Sequence, residues 1–160
     1  MTRRHDKMPL AECASARWSG GLAGPVLLDH LDGCGRPVRY VAAPISAYGT
    51  VRYDRTLDRL TTTSDHYVVG AAGLFSSTPH WREWWPSILE RLAAVSVLGA
   101  MDGTIGRGVW VEVRDADQRG LPIRWEGPGR RRLIYAADLA VIHGGASLRR
   151  YAALRARAAR

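Results

Sequence analysis

The amino-acid sequence predicts an α/β fold built on a doubly wound, mostly parallel β-sheet with flanking helices. Two observations lead to this prediction. Short segments of β-branched and aromatic residues alternate along the chain with segments whose apolar residues recur at helical spacing. Strands that alternate with helices in this way pair in parallel through right-handed crossovers. The length of 160 residues suits one such domain better than two.

The first half of the chain contains two predicted strands and one predicted helix. Residues 1–36 carry many glycines around one short apolar patch, which predicts a loop-rich N-terminal segment. Residues 38–43 are the first strand, which stops at Pro44 because proline cannot donate to a strand ladder. An amphipathic helix follows over residues 52–60, and a second strand over residues 66–69.

The second half of the chain repeats this alternation. A hydroxyl–proline sequence predicts the start of a helix over residues 77–94, which Pro86 should kink or split. Residues 95–98 are the third strand. After a glycine-containing loop, a helix over residues 109–119 ends before a glycine, and residues 121–125 are the fourth strand.

The C-terminal end adds two further elements. Residues 126–129 read as a turn, residues 132–136 as a fifth strand, and Ser147 can cap a terminal helix. The whole pattern predicts a small Rossmann-like domain. Its predicted parts are a loop-rich segment over residues 1–36, an α/β core over residues 37–126, and a basic C-terminal strand and helix, residues 127–160, packed on that core.

The net charge of +8 is concentrated at the C-terminal end. Residues 130–160 contain eight arginines and a single acid, Asp138, whereas the rest of the chain is nearly neutral. Because guanidinium forks match phosphate oxygens, one interpretation is a nucleic-acid contact through this Arg-rich C-terminal region. The other is composition alone, because the chain has a single lysine and is rich in Ala, Gly and Arg. Both interpretations stay open.

Composition also argues against several classes of protein. No apolar run approaches the roughly 20 residues that cross a bilayer, and the start of the chain lacks the apolar stretch of a secretory signal. We therefore expect a cytoplasmic protein with no membrane partner. Cys13 and Cys34 have neither C-x-x-C spacing nor a nearby histidine pair, so we expect no metal site and no disulfide framework.

Three predicted loops should face one crevice, because ligands of open α/β sheets bind beyond the carboxyl ends of the strands. Sequence blocks in and around these loops resemble the nucleoside 2-deoxyribosyltransferase superfamily. Residues 40–45 are similar to its opening strand and turn, and residues 52–57 to the first helix of its nucleotide N-glycosidases. The block from Asp102 to Glu112, continuing to residues 116–123, resembles the family signature in order and spacing.

The resemblance implies that Glu112 is the nucleophile of N-glycosidic bond cleavage. The chemistry gives an independent reason, because breaking the bond between a sugar and a base needs a carboxylate beneath the anomeric carbon. Glu112 lies near the start of a helix that follows glycines, where free amides and a close backbone can hold a sugar or phosphate. The alternative is a first-turn glutamate that only complements the helix dipole.

Other crevice residues complete the predicted site. Tyr40 would hold Glu112 in position and Asp102 would orient a base or act as an acid, which makes these three the predicted catalytic residues. The predicted substrate-binding residues are Ala43, Pro44, Ser46, Arg52, Asp54, Gly103, Gly106, Gly108 and Trp81. Arg52 would pair with a 5′-phosphate and Trp81 would stack on a base. Purely structural roles remain as alternatives: core packing for Tyr40, an N-cap for Asp54 and an ordinary turn for Asp102.

Two departures from the family pattern concern base release. The resemblance implies an aspartate on the helix before the third strand, and Pro86 stands there instead; Gly106 replaces the usual serine of the signature loop. Three functions are therefore open. They are cleavage or transfer of the N-glycosidic bond of a nucleoside, nucleotide or modified base without a cofactor, non-catalytic nucleotide binding, and nucleic-acid binding by an accessory protein. The resemblance also implies a homo-oligomer.

Overall fold

A computed structural model describes residues 23–70 and 78–142 of the chain. Its helices are α1 (Ala23–Gly33), α2 (Val51–Thr63), α3 (Thr78–Leu89) and α4 (Arg107–Gln118). Its strands are β1 (Val38–Ala42), β2 (Tyr67–Gly70), β3 (Leu92–Leu98), β4 (Thr104–Gly106), β5 (Ile123–Gly127), β6 (Arg132–Ile134) and β7 (Ala140–Ile142). Short 3₁₀ turns lie at Ile45–Ala47 and Ala136–Asp138. Within this described part, no helix has the length and apolar character needed to cross a membrane.

The centre of the molecule is a five-stranded sheet with the order β2-β1-β3-β5-β6. β1 pairs in parallel with β2 and β3, and β3 pairs in parallel with β5. Only the edge strand β6 is antiparallel among these five. The predicted Rossmann-like α/β fold, with a mostly parallel sheet and flanking helices, is confirmed. A second, parallel pair joins β4 to β7, where the sequence predicted only a loop before α4.

Helices cover both faces of the five-stranded sheet. Tyr40 and Val95 belong to the larger core, on the face that packs against α1, α3 and α4. Val41 and Leu98, which point the opposite way, belong to a smaller core under α2. Strands β1 and β3 therefore bury apolar residues on both sides, as expected for parallel strands between two layers of helices.

The predicted loop-rich character of residues 1–36 is wrong for its described end, where α1 forms a helix of 11 residues. Leu27 and Leu31 lie one turn apart and are buried in the larger core. Gly24 sits at the helix start, where a Cβ atom would overlap the Trp84 ring. This glycine therefore allows close packing of α1 on α3, whereas the sequence interpretation took it as a loop signal.

The boundary between α3 and β3 also differs from its prediction. The helix was expected to reach residue 94 but ends at Leu89, and β3 begins at Leu92, three residues earlier than expected. Pro86 lies inside one continuous helix and does not split it. Its ring is exposed, while Trp85 and Ile88 on either side anchor the helix in the core. Tertiary packing outweighs the loss of one helical hydrogen bond.

The C-terminal predictions are partly confirmed. The fifth strand exists as β6, but it is shorter than residues 132–136 and a 3₁₀ turn follows it. Residues 126–129 are not simply a turn, because Glu126 and Gly127 complete β5 and Glu126 is buried. The strand continues past the predicted end, and Glu126 is buried there because Arg59 and Ser96 donate to it. The terminal helix predicted after Ser147 lies outside the described residues.

Candidate active site

Glu112 is an ionisable residue on the buried stripe of α4. This helix begins at Arg107, directly after the short strand β4, and Gly106 precedes it with an extended backbone. Val109, Val113 and Ala116 recur at spacings of three and four residues and are buried with Glu112 on the same stripe. The apolar pattern that docks α4 on the sheet thereby carries one carboxyl group into the protein. The alternative of a first-turn glutamate that complements the helix dipole is wrong, because α4 begins at Arg107 and its first turn holds no acidic residue.

Aromatic side chains surround this carboxyl group. Tyr40 on β1 has no exposed surface, and its ring stacks on Trp81 of α3 with centroids 5.5 Å apart and an angle of 20°. The Trp85 ring completes this aromatic group, and its centroid lies 5.2 Å from that of Tyr40 and 5.3 Å from that of Trp81. Trp85 is also held by its indole N–H, which donates to Asp115 on α4 at 3.1 Å. Strand β1 and helices α3 and α4 therefore meet at Glu112.

Burial controls the ionisation of Glu112. Removal from water raises the pKa of Glu112 from 4.5 to about 8, although the Tyr40 hydroxyl and the Trp81 side chain each lower it and the charge of Asp115 raises it slightly. The Tyr40 hydroxyl finds no acceptor at full hydrogen-bond geometry among the described residues, so it acts on Glu112 as a nearby dipole. Glu112 is consequently protonated at neutral pH and poised to ionise just above it.

Tyr48 is a neighbour of Glu112 that the sequence did not single out. Burial raises the pKa of the Tyr48 phenol, and the charge of Glu112 raises this pKa further, so the two groups interact electrostatically. Its ring contacts Tyr53 with centroids 5.3 Å apart. The available signal was its position in the loop after β1, six residues past Ala42 and in the same loop as the predicted Pro44 and Ser46.

The loop after β1 is firmly attached to the rest of the crevice. Ala43 and Pro44 are buried and Ser46 is half-buried. Arg52, near the start of α2, donates from Nη1 to the carbonyl oxygen of Gly99 after β3 at 2.8 Å. Burial lowers the pKa of Arg52, and its second amino group, Nη2, is buried with no hydrogen-bond partner among the described residues. Arg52 thus ties two crevice loops together and keeps one donor unused.

Asp54 and Asp102 lie outside the buried group. Asp54 is exposed in the first turn of α2, and the N-cap interpretation is wrong because Thr50 caps this helix through its hydroxyl, 3.2 Å from the Tyr53 amide. Asp102 is exposed and accepts hydrogen bonds from the amide and hydroxyl of Thr104 at 3.1 and 2.6 Å. This geometry is that of an ordinary Asx turn.

The predicted glycines shape the approach to α4. Gly103 has a φ of 80°, which favours glycine in this turn. Gly106 precedes a helix whose first amides receive no side-chain cap, and a Cβ at Gly108 would meet nothing within 4 Å. Among the described residues, helix amides without a side-chain cap and open space at Gly108 therefore lie about one turn before Glu112. This is the kind of surface that a sugar hydroxyl or phosphate can approach.

The structure brings together Tyr40, Trp81 and Glu112 of the predicted site and adds Tyr48 and Trp85. The described residues include no group of three or more His, Cys, Asp or Glu side chains placed to hold a metal ion. The group that the structure assembles is a buried carboxyl group flanked by phenol and indole groups. Comparison of the chain with protein-family models, curated proteins and solved structures found no match.

Proposed function

We propose that the protein cleaves or transfers the N-glycosidic bond of a nucleoside or nucleotide, with Glu112 as the nucleophile. The observation that carries the proposal is a lone buried carboxyl group beside the Tyr40 phenol, on the helix that follows the crevice loop. The resemblance of the residue 102–112 block to nucleoside 2-deoxyribosyltransferases supports the same role. The homo-oligomer implied by that resemblance stays a prediction.

The proposed step needs the ionised form of Glu112. Its carboxylate forms a bond to the anomeric carbon while the bond to the base breaks and the electron pair passes to the base nitrogen. Glu112 loses its proton to solvent before attack, and the departing base takes its proton from water, so charge and protons balance. The oxocarbenium-like charge that develops on the sugar would itself favour the carboxylate over the buried acid.

Non-catalytic nucleotide binding is the second candidate. Two observations favour it: Glu112 is protonated at neutral pH, and Pro86 stands where the resemblance implies an aspartate that protonates the base. A neutral carboxyl group donates a hydrogen bond well but attacks carbon poorly. On this hypothesis the same crevice binds a nucleotide and releases no base.

Chromatography of free base after incubation with nucleosides and 5′-monophosphates tests the proposal. The wild-type protein should release base at a rate that increases with pH up to about 8, where Glu112 becomes ionised. Glu112→Gln should retain ligand binding and release none. Glu90→Gln, an exposed glutamate, is the matched control and should match the wild type. Binding without release by the wild type would favour the second candidate, and equal release by Glu112→Gln would exclude Glu112 as nucleophile.

A further inference from the structure

On the sheet face opposite Glu112, the side chains change from buried to exposed towards the edge strand β6. Under α2, Val41 of β1 and Leu98 of β3 are apolar and buried on this face. On β5 and β6, the facing residues Arg124 and Leu133 are directly opposite each other across the two strands. Both are exposed, Leu133 with 73% of its surface. This end of the sheet therefore presents a polar and apolar mixture to the outside.

A single carboxylate lies at the centre of this end. The Glu126 side chain has no exposed surface; it accepts from Ser96 Oγ at 3.0 Å and from Arg59 Nη2 at 2.5 Å. The Nε atoms of Arg124 and Arg131 each lie 3.8 Å from its oxygens. Arg39 joins the same network by donating to Ser96 Oγ at 3.1 Å. We call Arg39, Arg59, Arg124 and Arg131 the arginine patch.

The charges of the arginine patch do not cancel. Among the described residues of this network, four guanidinium groups accompany the one carboxylate of Glu126, a surplus of three positive charges (4 − 1). Burial lowers the pKa of Arg39, the charge of Glu126 opposes this, and the charges of Arg124 and Arg59 lower the pKa further. The Nε of Arg39 is buried without a partner among the described residues. The side chains of Arg124 and Arg131 are 50% and 51% exposed, so their remaining donors face outward. Such a surface complements an anion with several charged oxygens.

Two exposed side chains beside the patch indicate what kind of anion fits. Tyr135 is 70% exposed, and its extended backbone, with φ −115° and ψ 161°, continues the alternation of β6 so that it follows Leu133 on the same side. Aromatic rings next to arginines provide stacking surfaces for unpaired bases. A flexible acidic peptide would use the charges but would have no ring to place on Tyr135. The combination favours a chain of phosphates with accessible bases.

We propose that the arginine patch, with Leu133 and Tyr135, binds single-stranded nucleic acid. The outward donors of Arg124 and Arg131 contact backbone phosphates, and Tyr135 stacks on a base. Glu126 holds the guanidinium groups in place from below and limits their mutual repulsion. This binding surface is separate from the chemistry at Glu112, so base release and nucleic-acid binding can each succeed or fail without the other.

Fluorescence anisotropy with labelled oligo-dT of about 20 nucleotides, at several salt concentrations, tests the proposal in the full chain. Arg124→Gln and Arg131→Gln each remove an outward cation while Arg59 and Ser96 still hold Glu126. Each phosphate contact on a single strand contributes about fivefold at about 0.1 M salt, so the double variant should bind about 25-fold more weakly and its salt slope should fall by about 1.4. Tyr135→Ala should weaken binding at least about fivefold with an unchanged slope.

The matched control is Arg82→Gln, which removes an exposed arginine from α3 on the opposite side of the sheet and should leave affinity and slope unchanged. Far-UV circular dichroism tests whether each variant is folded. If the double variant is unfolded, the two single variants take its place. Wild-type affinity in the Arg124 and Arg131 variants would overturn the proposal. So would equally tight binding of polyglutamate, which would point to an acidic protein, or an unchanged affinity of Tyr135→Ala.

Discussion

Replacing Glu112 with glutamine should stabilise the protein by an amount that grows with pH. The folded protein holds the proton of Glu112 up to a pKa of about 8, whereas the unfolded chain releases it near 4.5. Between these values the folded state binds more protons than the unfolded state, so the free energy of unfolding falls as pH rises. Glutamine is neutral throughout and escapes this loss.

The size of the effect follows from the two pKa values. Each pKa unit corresponds to about 1.36 kcal/mol, so the 4.5 to about 8 difference amounts to about 5 kcal/mol once pH exceeds 8. At pH 7 the gain of Glu112→Gln should be about 3 kcal/mol, and near pH 4 it should vanish. Because Glu112 is buried, solvent screening does not reduce these values as it does for surface groups.

Urea unfolding of the wild type and Glu112→Gln at a series of pH values from 4 to 9 measures this difference. Glu90→Gln alters an exposed glutamate in a loose pair with Arg119. Its free energy of unfolding should differ from that of the wild type by only a small amount at every pH of the series. A constant gap between the Glu112→Gln and wild-type curves would refute the reasoning, because it would mean that Glu112 titrates alike in the folded and unfolded states.

Three further changes test other parts of the structure. Trp81→Phe removes the indole group that lowers the pKa of Glu112, so this pKa should rise; carboxyl-region NMR titration measures it, and a fall would contradict the assignment. Glu126→Ala should destabilise the protein by about 3–5 kcal/mol in urea unfolding, because it leaves several guanidinium groups without a counter-charge; a loss below about 1 kcal/mol would argue against the network. Gly24→Ala should cost about 1–3 kcal/mol by pushing a methyl group into Trp84, and an unchanged midpoint would show that α1 can shift freely.

The sequence was sufficient to predict the parallel sheet because its signals are local. The strand around Tyr40 and the strand around Val95 each carry dense β-branched residues between turn residues, and helices separate them. Helix α1 was missed for a related reason. The many glycines of residues 1–36 predict loops, although at Gly24 the glycine serves contact with Trp84, a residue 60 positions away.

The candidate site could be predicted only in part. The spacing of the signature block singled out Glu112, and its companion Tyr40 followed from the strand that precedes the crevice. Tyr48 and Trp85 could not be assigned to the site, because their approach to Glu112 depends on how α3 and α4 sit on the sheet. Glu126 was taken as a turn residue, since no local pattern indicates that Arg59 would reach it from 67 residues away.

The pairing of β4 with β7 has a consequence for the order in which the site is assembled during synthesis. The five-stranded sheet is complete once Ile134 has left the ribosome, but the partner of β4 arrives only with residues 140–142. The same late region touches α4, where the Ala136 amide donates to Asp117 at 2.9 Å. A nascent chain that stops short of β7 would thus contain all five strands of the sheet. The helix bearing Glu112 would still follow a β4 strand without its partner.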